Sequence, residues 1–193
     1  MARPRNFDEE RALDAALEAF WAAGYEATST QDLCAATGLG RSSVYNTFKS
    51  KHALFERALD RYMERKNAEL FALLAEELPV RRKIRAVLQL VIDEDFGEGA
   101  DGRGCLVVRT AAEVASRDEA VAAMLARDYR ERLTAVRAAI ETAQRDGEIG
   151  ADKDPLVLAH LVLTTVAGLR VSARNGAGKA ALESVADASL AAF

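Results

Sequence analysis

Within residues 41–51 the chain offers Arg41, Ser42, Ser43, Tyr45, Asn46, Thr47, Lys49 and Lys51. On a helical period Val44 and Phe48 face inward, which leaves the polar side chains on one outward flank. Guanidinium, amide, hydroxyl and ammonium groups of these sizes reach base edges and phosphate oxygens. No comparable set points to catalysis or metal binding. His52 and His160 have no histidine partner at i+4 and no neighbouring cysteine, so zinc is not expected. The run Asp93-Glu94-Asp95, with Glu98 and Asp101 beyond it, lacks the spacing of a calcium loop and reads as a solvated helix end. No Ser/His/acid or Cys/His motif and no phosphate loop appears. An enzyme would need distant residues to converge, and neither an enzyme nor a cofactor is expected.

The elements that must carry the polar flank are helical. A first helix is expected from about Asp8 to Ala23, with Asn6 as N-cap, Leu13, Leu17, Phe20 and Trp21 inward, and Gly24 closing it. A short second helix capped by Ser29 or Thr30 ends before Gly38. A third covers Arg41 to Phe48, and Ser50 opens a long fourth that runs through Lys51–Leu78 to Pro79. Two short helices joined by Thr37-Gly38-Leu39-Gly40 have the layout of a helix-turn-helix, although such pairs occur in many helical bundles. A projecting second helix fits the major groove. Local charge agrees: residues 41–66 hold seven cations against Glu56, Asp60 and Glu64, in a chain whose net charge is −4. That polarity favours a phosphate backbone at one end.

The run from Thr28 to Phe55, and above all Val44-Tyr45-Asn46-Thr47-Phe48-Lys49-Ser50-Lys51, resembles the DNA-binding region of the TetR/AcrR family of bacterial transcriptional regulators. The likeness covers about Arg11 to Leu59. It implies that Thr30 caps the second helix and meets a phosphate there, and that Arg41, Ser42 and Ser43 read bases. Tyr45 and Lys51 would hold phosphates with help from Lys49, and Asn46 belongs to the same DNA-binding set. Gly40 departs from the pattern, since Ser or Thr is usual at that cap; the difference weakens the helix by a few tenths of a kcal/mol at most. Arg3 and Arg5, beside Pro4, could enter a minor groove, but a solvated tail is the favoured reading.

Further along, helices are expected after Pro79 (Ile84, Val87, Leu88, Val91), from Cys105 to about Ala115, from Asp118 to Arg145, from Pro155 to about Ala173, and from Lys179 to Ala192. A glycine loop, with Gly97, Gly99, Gly102 and Gly104, interrupts the series. No strand alternation or fixed repeat is seen, so the fold class is all-α with about nine helices. The expected organisation is a helix-turn-helix domain over 1–52 and an effector-binding and dimerisation domain over 53–193. Leu156 to Val171 is apolar on nearly every side and shorter than a membrane span, so it must be covered by protein. Ala159, Ala167 and Gly168 would let a partner approach closely, and Leu182, Val185, Leu190 and Phe193 add a second stripe for a homodimer through the last two helices.

The family resemblance implies a ligand pocket, expected to draw on Phe71, Phe96, Cys105, Val108, Arg109, Met124 and Val166. Gly102 to Glu113 resembles a sensor segment in some branches of the family, except that Arg109 stands where Asn is commoner. It could pair with Glu113 one turn on or bind an anionic effector. Cys105 opens its helix and is either a reactive thiol or a core filler; Cys34 reads as packing. The acidic residues among the first twenty argue against a signal peptide, and two cysteines suit a reducing cytoplasm. The function expected is a ligand-responsive repressor that binds a pseudo-palindromic double-stranded DNA operator as a homodimer and is released by an unknown small-molecule effector, with no membrane involved. Triggering by oxidation or alkylation of Cys105 is the alternative.

Overall fold

A computed structural model describes residues 8–98 and 100–193; Arg3, Pro4, Arg5, Asn6 and Gly99 lie outside them. Among the described residues there are nine α-helices and a short 3-10 turn: α1 (Glu9–Ala23), α2 (Thr30–Thr37), α3 (Arg41–Phe48), α4 (Lys51–Ala75), α5 (Val80–Phe96), α6 (Leu106–Glu113), α7 (Glu119–Arg145), α8 (Pro155–Arg174) and α9 (Lys179–Ser189), then Leu190–Ala192. The all-α expectation holds. The chain forms two compact units, Met1–Glu64 with Cys105–Leu125, and Arg65–Gly104 with Ala126–Phe193.

Local chemistry fixes the helix ends. The N-cap of α1 is Asp8, not Asn6: its carboxylate accepts from the Glu10 and Arg11 amides, the two donors a cap side chain can reach. Gly24 ends α1 at φ 87°, ψ 171°, a region essentially reserved for glycine. Its backbone also passes so close to Glu113 that a Cβ would lie 2.7 Å from the carboxylate. The long fourth helix stops at Ala75, short of Leu78, and Pro79 serves as N-cap of α5. Asp154 and Pro155 open α8 as cap and first residue.

The first unit packs around Leu13, Leu17, Phe20, Leu33, Val44 and Phe55. Phe20 meets Phe55 edge-on at 5.1 Å between centroids, and Trp21 meets Tyr62 at 5.2 Å. In the second unit Ile84, Leu88, Ile92, Ile140, Val162 and Leu169 form the centre. Helix α8, at 20 residues, is long and apolar enough by composition to cross a membrane, which corrects the shorter expected span. Here Leu158, Val162, Leu163, Val166 and Leu169 are buried in the unit's core. Ala159 is also fully buried there, so it does not serve a partner's approach, and Leu182 and Phe193 face inward too. Exposed on the other side are Val157, His160, Thr164, Ala167, Gly168 and Val171, with Val185 on α9.

Candidate nucleic-acid interface

Helix α2 begins with a reciprocal cap. The Asp32 amide donates to Ser29 Oγ at 3.1 Å, and the Ser29 amide donates to Asp32 Oδ2 at 2.8 Å. The cap is therefore Ser29, not Thr30. The Ser29 hydroxyl and amide hold the Asp32 carboxyl below its ordinary value. Gly38, at φ 69° and ψ 12°, supplies the left-handed residue that turns the chain toward α3.

Thr30, freed from capping, places its hydroxyl 3.3 Å from the Tyr45 hydroxyl. The Arg41 guanidinium stands 5.7 Å from the centre of the Tyr45 ring. These hydrogen bonds, Thr30's first and Arg41's second, lower the Tyr45 phenol from its usual value. Thr30, Arg41 and Tyr45 thus form one connected polar edge. Arg41, Ser42 and Asn46 are exposed, Ser43 and Tyr45 half-buried, and Val44 and Phe48 turned into the core. Gly40 caps α3 with no side-chain bond, and the space around it is open.

Lys49 is the one non-glycine residue with positive φ among the described residues, at φ 69° and ψ −51°. The Ser50 amide donates to the Phe48 carbonyl at 2.8 Å, closing a γ-turn of the rare, strained hand on Lys49. The Ser50 hydroxyl then accepts from the Ala53 amide at 2.9 Å and opens α4. Lys51 sits 4.5 Å from the centre of the Tyr25 ring, a contact between residues 26 apart that no local motif announces.

The cation excess of residues 41–66 is not all available to a polyanion. Arg57 is bound to Glu9 at 2.8 Å and lies over the Phe48 ring. Arg61 pairs with Glu10 and with Asp14 at 3.3 Å. Lys66 is taken by Glu69 and Glu94. Arg41, Lys49 and Lys51 remain on the α3 side.

The expected pocket residues are divided between the units. In the first, Cys105 and Met124 pack partly buried against the core, and Val108 is half-buried. Arg109 donates to the Trp21 and Ala22 carbonyls at 3.3 and 3.2 Å, which clasps the end of α1, and stands 3.8 Å from Glu113. In the second, Phe71 lines two adjoining grooves of about 790 and 610 Å³ with Ala135 and Ala138. Phe96 is 37% exposed and Val166 is buried. His160 is exposed, its Nδ1 2.8 Å from the Tyr129 hydroxyl. Of the acidic run, Asp93, Glu98 and Asp101 are exposed as expected, but Glu94 and Asp95 are half-buried, and Glu94 engages Lys66 and Arg170 at 2.7 Å each.

Comparison with known proteins meets this geometry. Residues 12–58 match the profile of "Bacterial regulatory proteins, tetR family", and residues 80–189 match "Tetracyclin repressor-like, C-terminal domain". The chain is 32% identical over 189 residues to the HTH-type transcriptional repressor ComR of Escherichia coli, covering 97% of this chain and 90% of that one. With the HTH-type transcriptional regulator YezE of Bacillus subtilis it shares 30% identity over 191 residues, 98% of both chains. Among solved structures, a cysteine mutant of the TetR family transcriptional regulator CifR, complexed with 26bp double-strand operator DNA, superposes with a TM-score of 0.87 at 31% identity over 99% of this chain and 100% of that one. A helix-turn-helix whose polar edge lies open, followed by a matching C-terminal region, places this chain in the TetR family of bacterial transcriptional regulators.

Proposed function

We propose that the protein is a homodimeric repressor that grips a pseudo-palindromic operator with two copies of α3 and releases it when a small molecule occupies the C-terminal region. As a member of a family of regulators, it is not an enzyme. The observation that carries the reading is the linked Thr30–Arg41–Tyr45 edge with Ser42 and Asn46 open beside it. Residues 1–52 make the DNA contacts: Thr30, Tyr45, Lys49 and Lys51 hold phosphates, while Arg41, Ser42, Ser43 and Asn46 face bases. Residues 53–193 carry effector binding and dimerisation. The ComR name and the CifR–operator complex support the same assignment.

Dimerisation is supported by the exposed side of α8. Val157, His160, Thr164, Gly168 and Val171 recur at helical spacing, and a Cβ at Gly168 would touch nothing. Val185 of α9 is 51% exposed. Apolar side chains left open on the last two helices suit an isologous interface between two copies. Recognition helices related by that two-fold axis would meet half-sites about one helical turn, 34–36 Å, apart or a multiple of it. The site of action is the cytoplasm.

The test is fluorescence anisotropy on the promoter DNA beside the protein's own gene. Specific binding that falls with added salt is expected. Arg41→Ala should cost about 1–3 kcal/mol and relax base preference, whereas Tyr45→Ala should weaken binding to all sequences alike. No preference for any such site over random duplex would overturn the reading, and equal effects of the two substitutions would overturn the division of roles.

A further inference from the structure

Distant stretches of the first unit meet at the ring of Tyr25, in the turn between α1 and α2. Phe55 lies against the ring at 4.7 Å between centroids and Phe20 at 6.3 Å, and His52 meets it edge-on at 6.1 Å. The backbone before it is locked. The Gly24 amide donates to the Phe20 carbonyl at 2.8 Å, and the Gly24 carbonyl accepts from the buried Thr28 hydroxyl at 2.6 Å. Over the face of this fixed ring, 4.5 Å from its centre, stands the ammonium of Lys51.

Lys51 is held there without being neutralised. Among the described residues no carboxylate pairs with it. Asp32, which feels its charge, is bound by Ser29, and Glu56 and Asp118 stand at His52, 3.6 and 3.4 Å from its Nε2. An aromatic face attracts an ammonium through its quadrupole and leaves its N–H donors free for oxygen. Arg57 and Arg61, further along α4, are instead taken by Glu9, Glu10 and Asp14. Burial raises the Tyr25 phenol above its ordinary value, and Glu26, Asp118 and Glu56 add to the rise, so the ring stays neutral at pH 7.

Resting on the DNA-binding reading above, we propose that Tyr25 is a positioning residue for duplex binding, holding the Lys51 ammonium in place for a phosphate oxygen. A lysine loose on its four-carbon stem loses rotamer freedom when a phosphate fixes it. One already resting on a ring has lost part of that freedom before the duplex arrives, so less of the contact energy is spent on ordering it. Phe20 and Phe55 behind the ring keep the platform from yielding. The effect is the same on every sequence, because phosphates repeat along any duplex.

The experiment is a double-substitution cycle on the full-length protein, read by fluorescence anisotropy on the promoter duplex and on a random one. Tyr25→Leu keeps apolar bulk but removes the aromatic face, and should weaken binding to both duplexes about two- to fivefold per protomer. Tyr25→Phe keeps the face and should stay within about twofold of the wild type. In a Lys51→Met protein, Tyr25→Leu should change affinity by less than about twofold, since the contact it removes is already gone. Should circular dichroism show Tyr25→Leu unfolded, phenylalanines with one, two and three ring fluorines at position 25 keep the shape and weaken the face. Affinity should then fall stepwise with fluorine number, and only while Lys51 is present. The proposal is overturned by equal losses with and without Lys51, by a Tyr25→Phe loss as large as that of Tyr25→Leu, by wild-type affinity in a folded Tyr25→Leu protein, or by wild-type affinity in Lys51→Met. Each of these outcomes leaves the DNA-binding reading standing if the promoter duplex is still preferred. A wild-type protein that binds neither duplex would overturn both.

Discussion

The edge of α3 and the interior of the second unit use the same kinds of residue to opposite ends. On α3 Arg41, Ser42 and Asn46 are open, and Thr30 and Arg41 both meet Tyr45. In the second unit Lys66, Glu94, Asp128 and Arg170 are drawn inward and engaged by oppositely charged or amide partners. Open donors and acceptors contribute little to folding and remain available for a partner molecule. Enclosed ones are held where a change of partner is felt by the packing around them. The difference predicts how each region answers to substitution.

The largest effect is expected inside. Glu94→Leu leaves Lys66 and Arg170 enclosed without their shared carboxylate and should cost about 3 kcal/mol in denaturant unfolding. Adding Arg170→Leu should recover most of that loss; a double variant no better than the single one would break the contrast. The same pair sets a pH dependence. Burial pushes the Glu94 carboxyl up, but Arg170 and Lys66 outweigh it and hold its pKa below the ordinary value. A lowered pKa means the ionised form favours the fold, so this stability is present above about pH 4.3 and lost as the pH falls through the folded value. Burial raises the Asp128 pKa, so its protonation favours the fold and offsets part of that loss. Glu94→Gln should flatten the acid limb of an unfolding series.

Smaller effects are expected at the α3 edge, with stability and affinity moving apart. Lys49→Gly removes a side chain from a strained positive-φ turn and should stabilise the fold by about 0.5–1 kcal/mol, after allowing for the freer unfolded chain. The same variant should bind all duplexes less tightly and show a shallower salt dependence. Gly40→Ser is the smallest change. At φ −67°, ψ 154° and with open space around it, a serine can cap α3 without moving anything. It should add a few tenths of a kcal/mol, readable in the unfolding midpoint.

The two regions also differ in how far the sequence reveals them. The recognition element closes on itself within residues 29–53: a cap bond from Ser29 to Asp32, a turn at Gly38, the γ-turn at Lys49 and a cap at Ser50 all act within three residues. Local chemistry of that range is written in local sequence, and α3 runs from Arg41 to Phe48 as its periodicity predicts. Of the two caps the sequence allows for α2, Ser29 and Thr30, the structure uses Ser29 where the family resemblance implies Thr30, and α1 is capped by Asp8, two positions from the expected Asn6. The enclosed charges are separated by tens of residues, so nothing around Glu94 announces Lys66 or Arg170. A run of three acids is solvated in most settings, and only tertiary packing turned the middle one inward. Tyr25 beneath Lys51 escaped for the same reason.

The ion pairs that Glu9, Glu10 and Asp14 of α1 make with Arg57 and Arg61 have a consequence for solution thermodynamics. Counterion release on docking to duplex counts phosphates met by uncommitted cations, at about 0.9 per contact. With Lys49 and Lys51 as the cations that hold phosphates, a log–log plot of affinity against ionic strength should have a slope near −2 per protomer (about two contacts). Acids on a neighbouring helix would thus act as an insulator, leaving the flank of α4 with little free charge to offer a duplex.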